Sequence, residues 1–130
     1  MWNLADNSES DGRMRVMKKV RCLVVREPWV SLIASGCKTI EVRGCRVASG
    51  DLVICGSRHT DGPFAGKMAC VVSVDGCESY DPIKHDVAAC LSGATLPYAR
   101  PVSVMFSNVR GIAAVTVRGM PGIFWADVPE

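Results

Sequence analysis

The chain is divided into short runs rich in β-branched residues, each bounded by Gly, Pro, Ser or Asp. Val20 to Val25, Thr39 to Arg43, Asp51 to Cys55, Lys67 to Val74, Val102 to Phe106, Ile112 to Val117 and Ile123 to Ala126 all have this form. Branched side chains fit a pleated surface, and the intervening residues supply the turns, so each run is expected to be a strand. A chain of 130 residues has room for one core, which excludes a two-domain enzyme. No apolar run approaches the ~18 residues that a membrane-spanning helix needs, so no membrane partner is expected. Residues 1 to 15 are polar and without periodicity, and are expected to form a disordered tail before a single domain over 16–130.

Two short helices are expected between the strands. In Pro28-Trp29-Val30-Ser31-Leu32-Ile33-Ala34-Ser35-Gly36, proline takes the first helical position and Trp29, Leu32 and Ile33 share one face. Gly36 is suited to a left-handed cap. The second helix runs from Asp81 to Leu91, with Asp81 as N-cap, Pro82 at the first position, Ile83, Val87, Cys90 and Leu91 along one face, and Gly93 as the stop. Many strands and few helices give an α+β fold that is mostly β, and the expected architecture is a mixed β-barrel with short covering helices.

Charge is unevenly distributed along this framework. Between Arg13 and Arg46 nine basic residues face only Glu27 and Glu41, a net +7 in a chain whose total is +2. That asymmetry points to an anionic partner, provided the fold gathers the charges. With three Trp, two Tyr and three Phe, any base-stacking surface must be built from few residues. Seven cysteines without a C-x-x-C pair, and odd in number, argue against a zinc cluster and a secreted disulfide framework. Cys55 and Cys70 sit in apolar runs and are expected in the core. The start Met1-Trp2-Asn3-Leu4-Ala5-Asp6 has neither the basic nor the apolar stretch of a secretory leader, so a cytoplasmic protein is expected.

The chemistry concentrates in Gly36-Cys37-Lys38-Thr39-Ile40-Glu41-Val42-Arg43. On a strand, period-2 alternation turns Ile40 and Val42 to the core, and Thr39, Glu41 and Arg43 to the other face. A carboxylate and a guanidinium then share one surface, while Lys38, at the junction of helix and strand, can swing over either rim. Read from the residues alone, Glu41 and Arg43 could be no more than an exposed pair worth under ~1 kcal/mol. Trp29 fits the core by its helical spacing and the wall of a cleft by its nearness to Lys38. His59 is a lone loop histidine, His85 lies on the second helix, and Cys37 adjoins a lysine without a histidine partner. The sequence contains no phosphate-cradling glycine loop, no metal-ligand spacing and no Ser-His-Asp arrangement, and no cofactor is expected.

Gly36, Lys38, Glu41 and Arg43 match G-x-K-x-x-E-x-R, and the stretch resembles the signature of the ASCH domain family, a branch of the PUA-like superfamily. Downstream, Asn108-Val109-Arg110 and Gly119-Met120-Pro121-Gly122 are similar to the family's closing Asn-x-Arg strand and Gly-x-x-Gly turn, so the resemblance covers residues 20 to 128. It implies a PUA-like barrel whose cleft beside the motif binds RNA or a modified nucleoside. Within that cleft the resemblance gives Lys38 the role of a mobile cation and Arg43 that of a planar fork for phosphate or a base edge. Glu41 becomes an acceptor from an exocyclic amine, or a general base. Ser57, Asn108 and Arg110 are the supporting polar contacts, and Trp29 is a wall. Relatives that hydrolyse acetylated cytidine look as though they carry threonine three positions after the motif lysine, where this chain has Glu41, so that nucleophile is missing. The expected function is a stand-alone ASCH module that binds RNA or a modified nucleoside. The alternatives are a small hydrolase of RNA phosphodiesters or nucleoside substituents using Lys38 and Glu41, and a ligand-free regulatory interaction domain.

Overall fold

A computed structural model describes residues 16–93 and 95–129. The expected N-terminal tail therefore lies outside the described residues. In chain order the elements are β1 (Met17–Val25), α1 (Trp29–Ala34), β2 (Ile40–Arg43), β3 (Gly50–Gly56), β4 (Met68–Ser79), α2 (Pro82–Ala89), β5 (Val102–Arg110) and β6 (Phe124–Pro129). The strands form one sheet in the order β2-β5-β4-β3-β1-β6. β1 and β3 run parallel, and the other pairs are antiparallel.

Alternation along the strands gives the sheet two apolar faces. On one, Leu23, Val25, Leu52, Ile54, Cys70, Val72, Val104 and Phe106 pack with Val30 and Ile33 of α1. On the other, Cys22, Val53, Cys55, Met68 and Val128 are covered by Ile112, Val115 and Val117. Cys55 and Cys70 are buried as expected, and all seven cysteines are free. Among the described residues no helix is long and apolar enough to cross a membrane.

The mostly β, α+β expectation holds, but the barrel does not form. β2 and β6 are the sheet's two edges and are not paired with each other. Closure would need these edges bonded to each other, directly or through a further strand. The segment Ile112 to Val117, expected as a strand, is no such element. It touches the sheet through one bridge, Lys67 to Thr116, and through Met68 N–H to the Val115 carbonyl, and it lies across the face as a cover.

Both helices occur, with altered ends. Pro28 stands at the N-cap of α1, one position before the first turn, and its peptide bond with Glu27 is cis. The Glu27 carboxylate accepts from Ser31 N–H at 3.3 Å and from the Ser31 hydroxyl at 2.7 Å, doing what a capping side chain does. Asp81 caps α2 by accepting from Ile83 N–H at 3.0 Å, as expected. The helix ends at Ala89 in a Schellman turn, with Leu91 N–H on the Asp86 carbonyl and Cys90 N–H on that of Val87. Cys90, at φ 56°, takes the left-handed position, three residues before the glycine expected to stop the helix.

Of the four residues expected along one face of α2, Ile83 and Val87 are turned outward, while Cys90 and Leu91 are partly buried. Ile83 and Val87 are 95% and 91% exposed, whereas His85 and Ala89 are buried. Ala89 packs with Ile40 and Val42 of β2. His85 is tied down by three polar contacts, to Asp81 N–H, Ser103 and Glu78, and these fix the helix rotation against the apolar pattern.

Candidate functional site

Gly36, at φ 84°, follows α1 and turns the chain back, with Gly36 N–H on the Ile33 carbonyl and Lys38 N–H on that of Leu32. Thr39 N–H then bonds the Ala88 carbonyl at 2.9 Å, so the motif is laid against the end of α2. The side chain of Lys38 is thereby drawn inside, with 2% of its surface exposed. Its ammonium donates to the Ala89 carbonyl and lies 3.4 Å from Glu41 Oε1. The other carboxylate oxygen, Oε2, accepts from Arg43 at 3.0 Å. Lys38, Glu41 and Arg43 therefore form a continuous cation-anion-cation chain.

Two expectations are corrected here. Lys38 is a fixed charge rather than a mobile one, because two of its three donors are engaged by Ala89 and Glu41. Burial pushes its pKa down, and the neighbouring Glu41 carboxylate partly offsets this. The Glu41–Arg43 pair is not an exposed one, since Glu41 is buried while Arg43 is three-quarters buried and reaches the surface. The strand alternation itself is as expected, with Ile40 and Val42 on one side against Ala89, and Glu41 on the other beside Lys38 and Arg43.

The ion chain forms the floor of a cavity of about 270 Å³ whose walls include Trp29, Tyr98, Arg26 and Leu96. Trp29 packs against the core and also lines this cavity. Tyr98 carried no sequence signal, because it lies in the loop after α2 and is brought in by tertiary structure alone. Its ring rests on Gly44, where an added Cβ would stand 2.9 Å from the ring. A second cavity, of about 340 Å³, is lined by Ser57, Arg58, His59 and Met120. Val24 and Arg43 line both, so the two adjoin at these residues.

Ser57 thus reaches the site through the second cavity, with its hydroxyl accepting His59 N–H at 3.2 Å. Asn108 and Arg110 are not brought to the motif. Arg110 lines a third cavity with Lys18, Lys19 and Arg21, at the opposite end of β1 from Arg26. Asn108 has φ 54° beside a register shift of β5 against β4, and its carbonyl accepts from the Arg110 guanidinium at 2.7 Å. The same guanidinium holds Ser73 Oγ at 3.2 Å and Asp51 at 2.7 Å. The Asn-x-Arg element is therefore a clamp across β3, β4 and β5.

The fold also assembles a Ser-His-Glu line that no local pattern announces. Ser103 Oγ lies 2.9 Å from His85 Nδ1, and His85 Nε2 lies 2.9 Å from Glu78. Asp81 N–H also donates to Nδ1, which makes Nε2 the protonated nitrogen, donating to Glu78. Ser103 is fully buried, so its hydroxyl meets no substrate and the line anchors α2.

The sequence matches the ASCH domain over residues 23–114. No curated protein matches the chain. The structure is similar to the crystal structure of ASCH from Zymomonas mobilis, with a TM-score of 0.67 at 13% identity, covering 82% of this chain and 86% of that one. Two single-residue variants of the Zymomonas mobilis protein superpose equally well. One has a TM-score of 0.66 at 12% identity, over 82% of this chain and 87% of that one. The other has 0.66 at 14% identity, over 84% and 91%. At these identities the likeness is one of fold, while the sequence match spans most of the chain and includes Lys38, Glu41 and Arg43. The chain belongs to the ASCH domain family.

Proposed function

We propose that the paired cavities around Arg43 bind one nucleotide unit of RNA, or a modified nucleoside. The observation that carries this reading is the joining of two aromatic rings, Trp29 and Tyr98, with the Lys38-Glu41-Arg43 chain in one cavity. Aromatic faces take a base by stacking, and the buried carboxylate keeps lone pairs for an exocyclic amine. Arg43 spends one donor on Glu41 and can turn the rest of its fork to a phosphate in the adjoining cavity, beside Arg58. The motif cavity falls just below the ~300–1,000 Å³ of ordinary pockets and the second stands at its lower end, and their junction at Arg43 provides the needed length.

A hydrolase reading is favoured by one feature. His59 lines the cavity that Arg43 and Arg58 share, which gives a candidate proton carrier beside two guanidinium groups. Calorimetric titration with mononucleotides and modified nucleosides, followed by mass spectrometry of the same mixtures, separates the two readings. Binding without product is expected for the wild type, with affinity falling about tenfold or more in Arg43→Ala, as for loss of a charge-assisted contact. Glu41→Gln should likewise lose affinity. Undiminished binding in both variants would defeat the cleft assignment, and product formed by the wild type but not by His59→Ala would establish the hydrolase.

A further inference from the structure

The basic residues of the first third of the chain do not collect in one place. Arg26, Lys38 and Arg43 stand at the motif cavity, while Lys18, Lys19 and Arg21 stand at the other end of β1. There β1 outruns β3, whose paired residues begin at Cys22 opposite Val53, while β6 accompanies β1 from Met17 onward. The gap beside this projecting ribbon is a cavity of about 490 Å³ lined by Lys18, Lys19, Arg21, Asp51, Arg110 and Trp125, among others. We propose that this cavity is a second contact surface for single-stranded RNA, holding its phosphodiester backbone on the cations and stacking one base on Trp125.

The charge available there exceeds what the protein neutralises. Arg21 donates to three carbonyls, those of Ala48 at 2.8 Å, Asp51 at 3.0 Å and Gly50 at 3.1 Å. Neutral acceptors orient the guanidinium but leave its charge uncompensated. Lys19 pairs with Asp127 at 3.0 Å and Arg110 with Asp51 at 2.7 Å, in ion pairs with exposed carboxylates. The exposed Lys19–Asp127 pair is weak and exchanges readily for a phosphate, while Arg110, two-thirds buried and held by Asn108 and Ser73, presents its charge from a fixed place. Trp125 is the cross-strand partner of Arg21 and is 62% exposed. A large indole left in water beside four cations is the combination that single-strand binding uses, because a base stacks on any aromatic face while the cations follow the backbone.

The occupant follows from continuity with the cleft. From Lys18 to Arg26, along β1 and the residue after it, the chain spans about 26 Å, so one RNA can touch both sites within the roughly 4–16 nucleotides that small β-domains cover. The inference rests on the nucleotide-binding reading of the motif cleft, and two probe lengths keep the two apart. Fluorescence anisotropy is measured with a labelled trinucleotide and a labelled 12-nucleotide single-stranded RNA of mixed sequence. Trp125→Ala should weaken the 12-mer about tenfold, and Trp125→Phe should restore most of that loss. Lys18→Ala should reduce the slope of log K against log salt by about 0.7. Neither should change trinucleotide binding or the melting temperature, since both side chains are exposed. Full 12-mer affinity in Trp125→Ala and Lys18→Ala overturns the second surface, and the cleft reading survives that result if Arg43→Ala loses the trinucleotide. Loss of the 12-mer in Trp125→Ala with an unaffected Arg43→Ala supports the second surface and defeats the cleft. No binding of either RNA by the wild type overturns both.

Discussion

Lys38 carries a positive charge at almost no contact with water, supported by one carbonyl and one carboxylate. Its pKa therefore lies below the ordinary lysine value of 10.5, mainly through burial. The sign of the stability effect follows from proton counting. Between the lowered native pKa and the unfolded value the unfolded chain retains a proton that the native state has lost, so stability rises as pH climbs through that window. Removing the Glu41 charge removes the main opposing influence, and Glu41→Gln should push the Lys38 pKa lower still. Nitrogen-detected NMR titration of the Lys38 ammonium checks this, and a Lys38 that titrates at the ordinary lysine value of 10.5 or above would contradict it. At Cys90 the left-handed φ of 56° strains any side chain bearing a Cβ. Cys90→Gly should stabilise the protein by roughly 0.5–1 kcal/mol in chemical denaturation. Strand alternation sufficed to put Glu41 and Arg43 on one side. The fixing of Lys38 was not legible, because it depends on the Ala89 carbonyl, 51 residues away in sequence.

Among the elements, α2 is where the pattern and the fold part. Ile83 and Val87 read as part of one apolar face, yet the helix is rotated so that His85 and Ala89 face inward. A hydrophobic count cannot foresee this, because the contacts that decide it join His85 to Glu78 of β4 and Ser103 of β5. Ile83→Ser and Val87→Lys should change unfolding free energy by no more than about 0.5 kcal/mol. Ala89→Leu, pressed against Ile40 and Val42, should cost roughly 1–3 kcal/mol through overpacking. Equal effects from the two sets, measured by denaturant melts, would contradict the observed rotation. The strand signals were more dependable, since β-branched runs between turn residues located the six strands of the described residues, and only the run Ile112 to Val117 formed none. Gly56 marks a place where backbones meet closely. A Cβ there would stand 2.1 Å from the Phe64 carbonyl oxygen, so Gly56→Ala should destabilise strongly and disturb the loop that carries Ser57 and His59.

Over the whole molecule, the open sheet turns one basic segment into two separated surfaces joined by β1. The excess of basic residues was legible in the sequence, but its division was not, because division depends on the parallel pairing of β1 with β3. The same limit applied to the barrel, since closure is decided by which edges meet, and strand composition is silent on that. RNA affinity should fall steeply between low and moderate salt, with the slope counting the phosphates engaged. The most direct test of the cleft itself is a nitrogen-proton NMR titration of the wild-type protein with a mononucleotide. The account predicts shifts centred on the Trp29 indole N–H, the amides of residues 38 to 43 and that of Tyr98, with saturation at one equivalent. Shifts that leave these groups unmoved and gather elsewhere on the sheet would contradict it.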